Sequence, residues 1–156
     1  MNAIKHLVGM AFLVFSIVSC NTSVSPEDRI KEYVGAVENH FEKRQASGLK
    51  KYISEGYRDD YGYTKKDLLR FAAGYILRRP IIHITSKAEE ILILKDTKTA
   101  HVKIDVAVSS KPLTGTDIRL IQSEFHRFHL TLQRNKKWQL SSLQWQNITI
   151  DEYLAP

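Results

Sequence analysis

TAHVKIDVAVS, Thr99 to Ser109, decides the fold. Ala100, Val102, Ile104, Val106 and Val108 alternate with His101, Lys103, Asp105, Ala107 and Ser109. A period of two places one set on each side of an extended chain, so the stretch predicts a half-buried β-strand. Upstream, Ile82 and Ile84 alternate with His83 and Thr85, the apolar pattern resumes over Ile91–Leu94, and Lys95-Asp96-Thr97-Lys98 predicts a turn. Downstream, KPLTGT at Lys111–Thr116 predicts a loop. Ile118–Gln133 predicts a long strand whose apolar phase slips between Ile121 and Phe128, which calls for a bulge or bend there. Arg134–Lys137 predicts a hairpin turn and Trp138–Ile148 the last strand. Short turns between successive strands make the sheet antiparallel, with four strands.

The N-terminal half has a helical period instead. Ser25-Pro26-Glu27-Asp28 combines a capping hydroxyl, a proline for the first turn and acids for the positive end of the helix dipole. Ile30, Tyr33, Val34, Val37 and Phe41 then mark one face of a helix expected to reach about Gln45, with Gly48 as its break. Leu49–Ser54 is a shorter segment, and Glu55–Thr64 a loop rich in Gly, Asp and Tyr. Thr64 and Asp67 resemble a capping box, Leu68, Leu69, Phe71, Ala72, Tyr75 and Ile76 follow at helical spacing, and Pro80 ends the helix. Two or three helices followed by an antiparallel sheet define an α+β fold, in which a curved sheet wrapped on the long N-terminal helix buries both apolar faces.

The chain has 156 residues, 43% hydrophobic and 26% charged, which suits one globular domain rather than a disordered segment. The net charge of +6 draws a surface toward anionic lipid, polysaccharide or nucleic acid, but the basic residues are scattered in pairs, as on an ordinary solvated surface. No nucleic-acid motif accompanies them, and nucleic acid is not an expected partner.

Leu7–Val18 is an apolar run of twelve residues after Lys5. A membrane span needs roughly 20 residues, so this run fits the core of a secretory signal peptide. Ile17-Val18-Ser19-Cys20 resembles the lipobox of bacterial lipoproteins. That resemblance implies cleavage between Ser19 and Cys20, a diacylglycerol on the Cys20 sulfur and acylation of its new amino group. Asn21, where some lipoproteins of enteric bacteria carry Asp for inner-membrane retention, points to the outer membrane. The expected organisation is a cleaved signal peptide at 1–19, a lipidated tether at 20–25, the domain at 26–150 and a tail at 151–156. The domain would face the periplasm, anchored in the envelope membrane by lipid. Cys20 is the sole cysteine, so no intrachain disulfide is expected.

YRDDYGYTKKDLL (Tyr57–Leu69), TAHVKIDV (Thr99–Val106) and KKWQLSSLQW (Lys136–Trp145) are similar to passages of the nuclear transport factor 2-like superfamily, which includes SnoaL-like domains. The resemblance covers about 26–150 and implies the cone-shaped α+β fold. The superfamily holds isomerases, dehydratases, scaffolds and binding domains, so chemistry has to come from the site. Dimers through the sheet face recur among these relatives, making a homodimer a further expectation.

Tyr57, Asp60, Tyr61, Tyr75 and Trp145 form the candidate pocket, since aromatic walls with few polar groups suit a small ligand. The favoured reading of these residues is nonetheless core and rim packing, with each tyrosine burying its ring and wetting its hydroxyl, and the pocket is the alternative. His126 and His129 are three apart on one strand and face opposite sides, while His101 and Asp105 are about 13 Å apart along theirs. Neither pair suits one metal ion on a regular strand, although a bulge between His126 and His129 would bring those two to one side. No metal, cofactor or catalytic set is expected. The leading expectation is a non-catalytic binding or envelope-assembly module whose partner is an envelope protein or a small hydrophobic ligand. The alternatives are an enzyme of the cyclase, isomerase or dehydratase kind, with its pocket near Tyr57–Tyr75, and a binder of an anionic surface polymer.

Overall fold

The structure is a computed structural model that describes residues 24–113 and 118–155. The expected lipobox, the expected cleavage site and Cys20 lie outside the described residues.

Helix α1, Pro26–Glu42, begins on the Ser25 cap, whose hydroxyl accepts from the Asp28 N–H at 3.0 Å. It ends three residues before the expected Gln45, where Arg44 takes a positive φ of 57°. Gly48 is not a break. It lies in a 3₁₀ helix, Ala46–Tyr52, where an added Cβ would collide with the His40 ring. Helix α2, Lys65–Arg78, carries the expected Thr64–Asp67 capping box. Four strands follow: β1 His83–Ile93, β2 Thr99–Ser109, β3 Ser123–Arg134 and β4 Trp138–Asn147. They form one antiparallel sheet in the order β1-β2-β3-β4.

Ala100, Val102, Ile104, Val106 and Val108 all face the helices, with Leu130 and Leu132 from β3 and Trp138 and Leu140 from β4. Ile30 and Tyr33 of α1, Leu49, Ile53 and Tyr57, Ile76 of α2 and Ile82 complete this core. Leu132 and Ile30 are fully buried; each such side chain contributes about 1.5–3 kcal/mol of transfer free energy.

Among the described residues two bulges are present, neither where the sequence phase suggested. Between Ile121 and Phe128 the β2–β3 register runs without a shift from Ser109↔Ser123 onward, and Ile118–Leu120 is a separate 3₁₀ turn. The slip arises because polar Glu124 and His126 occupy the inward parity of Leu130 and Leu132. One real bulge inserts Glu89 into β1 and the other inserts Ser141 into β4. Ser141 donates its hydroxyl to Thr131 O at 2.9 Å, and its carbonyl receives the Arg58 N–H at 3.1 Å. The extra residue flips the alternation of β4. Trp138 and Leu140 face inward before it; Leu143, Trp145 and Asn147 do so after it, opposite Leu130, Phe128 and His126.

Residues 151–156, expected as a tail, begin instead inside a last helix. Helix α3, Ile150–Leu154, starts on a Thr149–Glu152 capping box. It lays Tyr153 on the outer face of the sheet, against Phe125 at 5.2 Å between ring centres. The Tyr153 hydroxyl donates to Thr85 O at 3.2 Å.

Candidate binding site at the mouth between α2 and the sheet

The five expected pocket residues do not converge. Tyr57 is 3% exposed, its ring in the core and its hydroxyl on Asp59 at 3.2 Å. Tyr61 is 76% exposed and stacks in a row with Tyr63, which meets Phe71 of α2 edge-on at 5.0 Å. Asp60 accepts a hydrogen bond from the Gln144 amide. Gln144 faces outward, so Asp60 fastens the loop to the outer side of β4 and not to the mouth. The loop is held there by the Ser54 and Arg58 N–H groups on the carbonyls of Leu140 and Ser141. Tyr75 and Trp145 are linked across the mouth through residues that lie between them.

Those residues are Arg79, Glu124, His126 and Asn147. Tyr75 donates to Glu124 Oε2 at 3.4 Å, and the Arg79 guanidinium both pairs with Glu124 and lies 3.8 Å above the Tyr75 ring. His126 stands between two oxygens, Asn147 Oδ1 at 2.9 Å and Glu124 Oε2 at 3.6 Å. Trp145 meets the His126 ring edge-on at 5.8 Å and is 56% exposed. Partial burial works against the Glu124 charge, but the Arg79 hydrogen bond and charge, with His126 and Tyr75, outweigh it and hold the carboxyl below its ordinary value. Burial pushes the Tyr75 hydroxyl up to about 12 against the opposing Arg79 charge, so it remains a donor at neutral pH.

The arrangement offers an indole face to an apolar body, with a fixed carboxylate, a phenol and an imidazole beside it. Glu124 and His126 carry a signal in the sequence after all. Counting back by twos from Leu132 and Leu130 puts them at core-facing positions, and polar residues there mark a functional or strained site. Arg79 and Asn147 carry no comparable signal.

His101 and His129 both lie on the outer face, where His101 sits 3.3 Å from the Thr131 hydroxyl. Among the described residues no three His, Cys, Asp or Glu side chains are placed to share a metal ion. No described helix is long and apolar enough to cross a membrane.

No protein-family model and no curated protein matches the chain by sequence. Solved structures match its shape. A candidate scytalone dehydratase from Novosphingobium aromaticivorans superposes with a TM-score of 0.63 at 11% identity, over 79% of this chain and 84% of that one. A candidate dehydratase of the nuclear transport factor 2-like family from Streptomyces avermitilis gives 0.61 at 12%, over 80% and 97%. A ketosteroid isomerase-like protein from Erwinia carotovora atroseptica gives 0.57 at 11%, over 78% and 95%. The chain therefore has the nuclear transport factor 2-like α+β fold.

Proposed function

We propose that the chain is a lipid-anchored, periplasm-facing module of a bacterial envelope, favouring the outer membrane, and that it binds a small hydrophobic ligand at the mouth between α2 and the sheet. One observation carries the binding reading: the Ser141 bulge turns Trp145 onto the concave face, yet leaves its indole more than half exposed beside His126. Deeper in, Tyr33, Tyr57, Leu132 and Trp138 fill the concave face, so the apolar surface left for a ligand is at the rim. Anchoring rests on the lipobox resemblance: two or three acyl chains on Cys20, at about 0.8 kcal/mol per buried CH₂, would anchor a protein stably on a bilayer.

N-phenyl-1-naphthylamine, an uncharged fluorophore, serves as the binding probe. Trp145→Ala should weaken it about tenfold while Leu120→Ala, at another exposed apolar side chain, leaves it unchanged; equal effects overturn the site. Metabolic labelling with a clickable fatty acid should mark the wild type and not Cys20→Ala, and equal labelling ends the lipoprotein reading.

Catalysis of the isomerase or dehydratase kind is the second reading. The specific observation behind it is an imidazole and an ionised carboxylate facing the same mouth, the parts of a general acid–base site. Turnover of a 3-ketosteroid or a hydroxylated aromatic that disappears in both His126→Ala and Glu124→Gln would replace the binding reading with this one.

A further inference from the structure

A concavity of about 220 Å³ lies away from the mouth, between α1 and β1. Val34, Ala88, Ile91 and Val102 supply its apolar walls. Its polar end is the Glu38 carboxyl with Ser86 beside it. Glu38 Oε1 is shielded from solvent and has no hydrogen-bond donor. A buried acceptor without a donor costs about 1–3 kcal/mol, more when charged, and such groups in a folded protein call for an explanation. Burial pushes the Glu38 carboxyl up; hydrogen bonding from the Ser86 hydroxyl opposes the rise without satisfying Oε1, and the Glu42 charge one turn on adds to it.

The cation that lines the groove does not answer that need. Lys31, also on the rim, is held by Glu27 at 2.9 Å on the exposed side of α1. Glu42 spends one oxygen on the Ile84 N–H at 2.9 Å, which fixes the adjacent stretch of β1. The helix face is cut away at Gly35, where an added Cβ would meet nothing within 4 Å. The groove thus combines an acceptor in want of a donor, a short apolar wall and room left by a missing side chain.

We propose that this groove binds a small primary amine, its ammonium donating to Glu38 Oε1 and its alkyl body lying on Val34, Ile91 and Val102. An ammonium supplies three donors and the charge that complements a carboxylate, while a hydroxyl supplies one donor and no charge. A carboxylate ligand would meet Glu38 and Glu42 as like charges.

The test uses the full chain and three probes of one shape: n-butylamine, n-butanol and butyrate, titrated by calorimetry at neutral pH. The amine should bind about tenfold more tightly than the alcohol, as a charge-assisted hydrogen bond warrants, and butyrate should not bind. Glu38→Gln should remove that preference while the alcohol binds as before. Gly35→Val, which fills the groove, should weaken both. The ¹³C resonance of the Glu38 carboxyl should move with added amine. Equal binding of amine and alcohol, a preference that survives Glu38→Gln, an unmoved Glu38 resonance, or no saturable binding of any probe overturns the proposal. None of these outcomes depends on Trp145, so this site and the mouth fail or stand separately.

Discussion

The two halves of β2 share one alternation and meet opposite surroundings. In the first half His101 is exposed and Lys103 half-buried on the outer face. In the second half Asp105 is 1% exposed, Ala107 0% and Ser109 6% on that same face. The difference comes from α3 and the segment before it. Tyr153, Ile148, Phe125, Leu113 and Ile118 build a second apolar cluster over Ala107. Asp105 lies at its edge and is held by Arg127 through two hydrogen bonds of 2.7 Å. Lys87 crosses from β1 to the carbonyls of Tyr153 and Ala155, each at 3.1 Å, and pins the helix down. A strand that reads as half-buried throughout is therefore half-buried only to its midpoint.

Removing the ion pair should break the comparison most visibly. Asp105→Ala leaves Arg127 facing a buried gap and should cost about 3–5 kcal/mol in chemical denaturation. His101→Ala, on the open half, should stay within about 0.5 kcal/mol. Similar losses at the two positions would show that α3 does not cover the strand in solution. Tyr153→Ala comes next, at about 3 kcal/mol, because it empties the centre of the second cluster. In a double-mutant cycle Tyr153 and Asp105 should couple by about 1 kcal/mol, whereas Tyr153 and His101 should add independently.

Acid sharpens the same contrast, with opposite signs on the two faces of the sheet. The Arg127 hydrogen bond holds the Asp105 carboxyl below its ordinary value of 3.8 despite burial. Its stabilisation is full above that value and is lost as pH falls through the lowered one, so the wild type should forfeit its advantage over Asp105→Asn on acidification. Glu38, on the helix side, is raised above 4.5 by burial. Its folded form favours the proton, so wild-type stability should fall as pH rises through that window and Glu38→Gln should be the more stable at neutral pH. This effect is the smallest of the set, since the group is only partly buried. Melting temperatures from pH 3 to 7 for both variants check the two signs.

Much of the fold was legible. The helix caps at Ser25 and Thr64, the inward set of β2 and the turn at Lys95–Lys98 follow from local rules, because each depends on residues a few positions apart. The site was less legible. Tyr57, Asp60 and Tyr61 stood out by composition, but a loop's composition does not say which side of a strand it docks on. Asp60 bonds outward-facing Gln144, and that placed the loop away from the mouth. Trp145 stood out as a large aromatic, yet its facing depends on one inserted residue, and Ser141 has no property that announces a bulge.

By itself the sequence determined the helix-then-sheet order, the antiparallel pairing and the apolar face of β2, since periodicity and capping act within one element. It also carries the Ile17–Cys20 stretch on which the proposed lipid anchor rests, which is read from the linear chain alone. Only the tertiary structure decided which polar residues became buried, which way β4 faced beyond Ser141, and which aromatic met His126. Those outcomes depend on what one element finds on another. Asp105 and His101 occupy the same parity of the same strand, and the short helix carrying Tyr153 separates their fates.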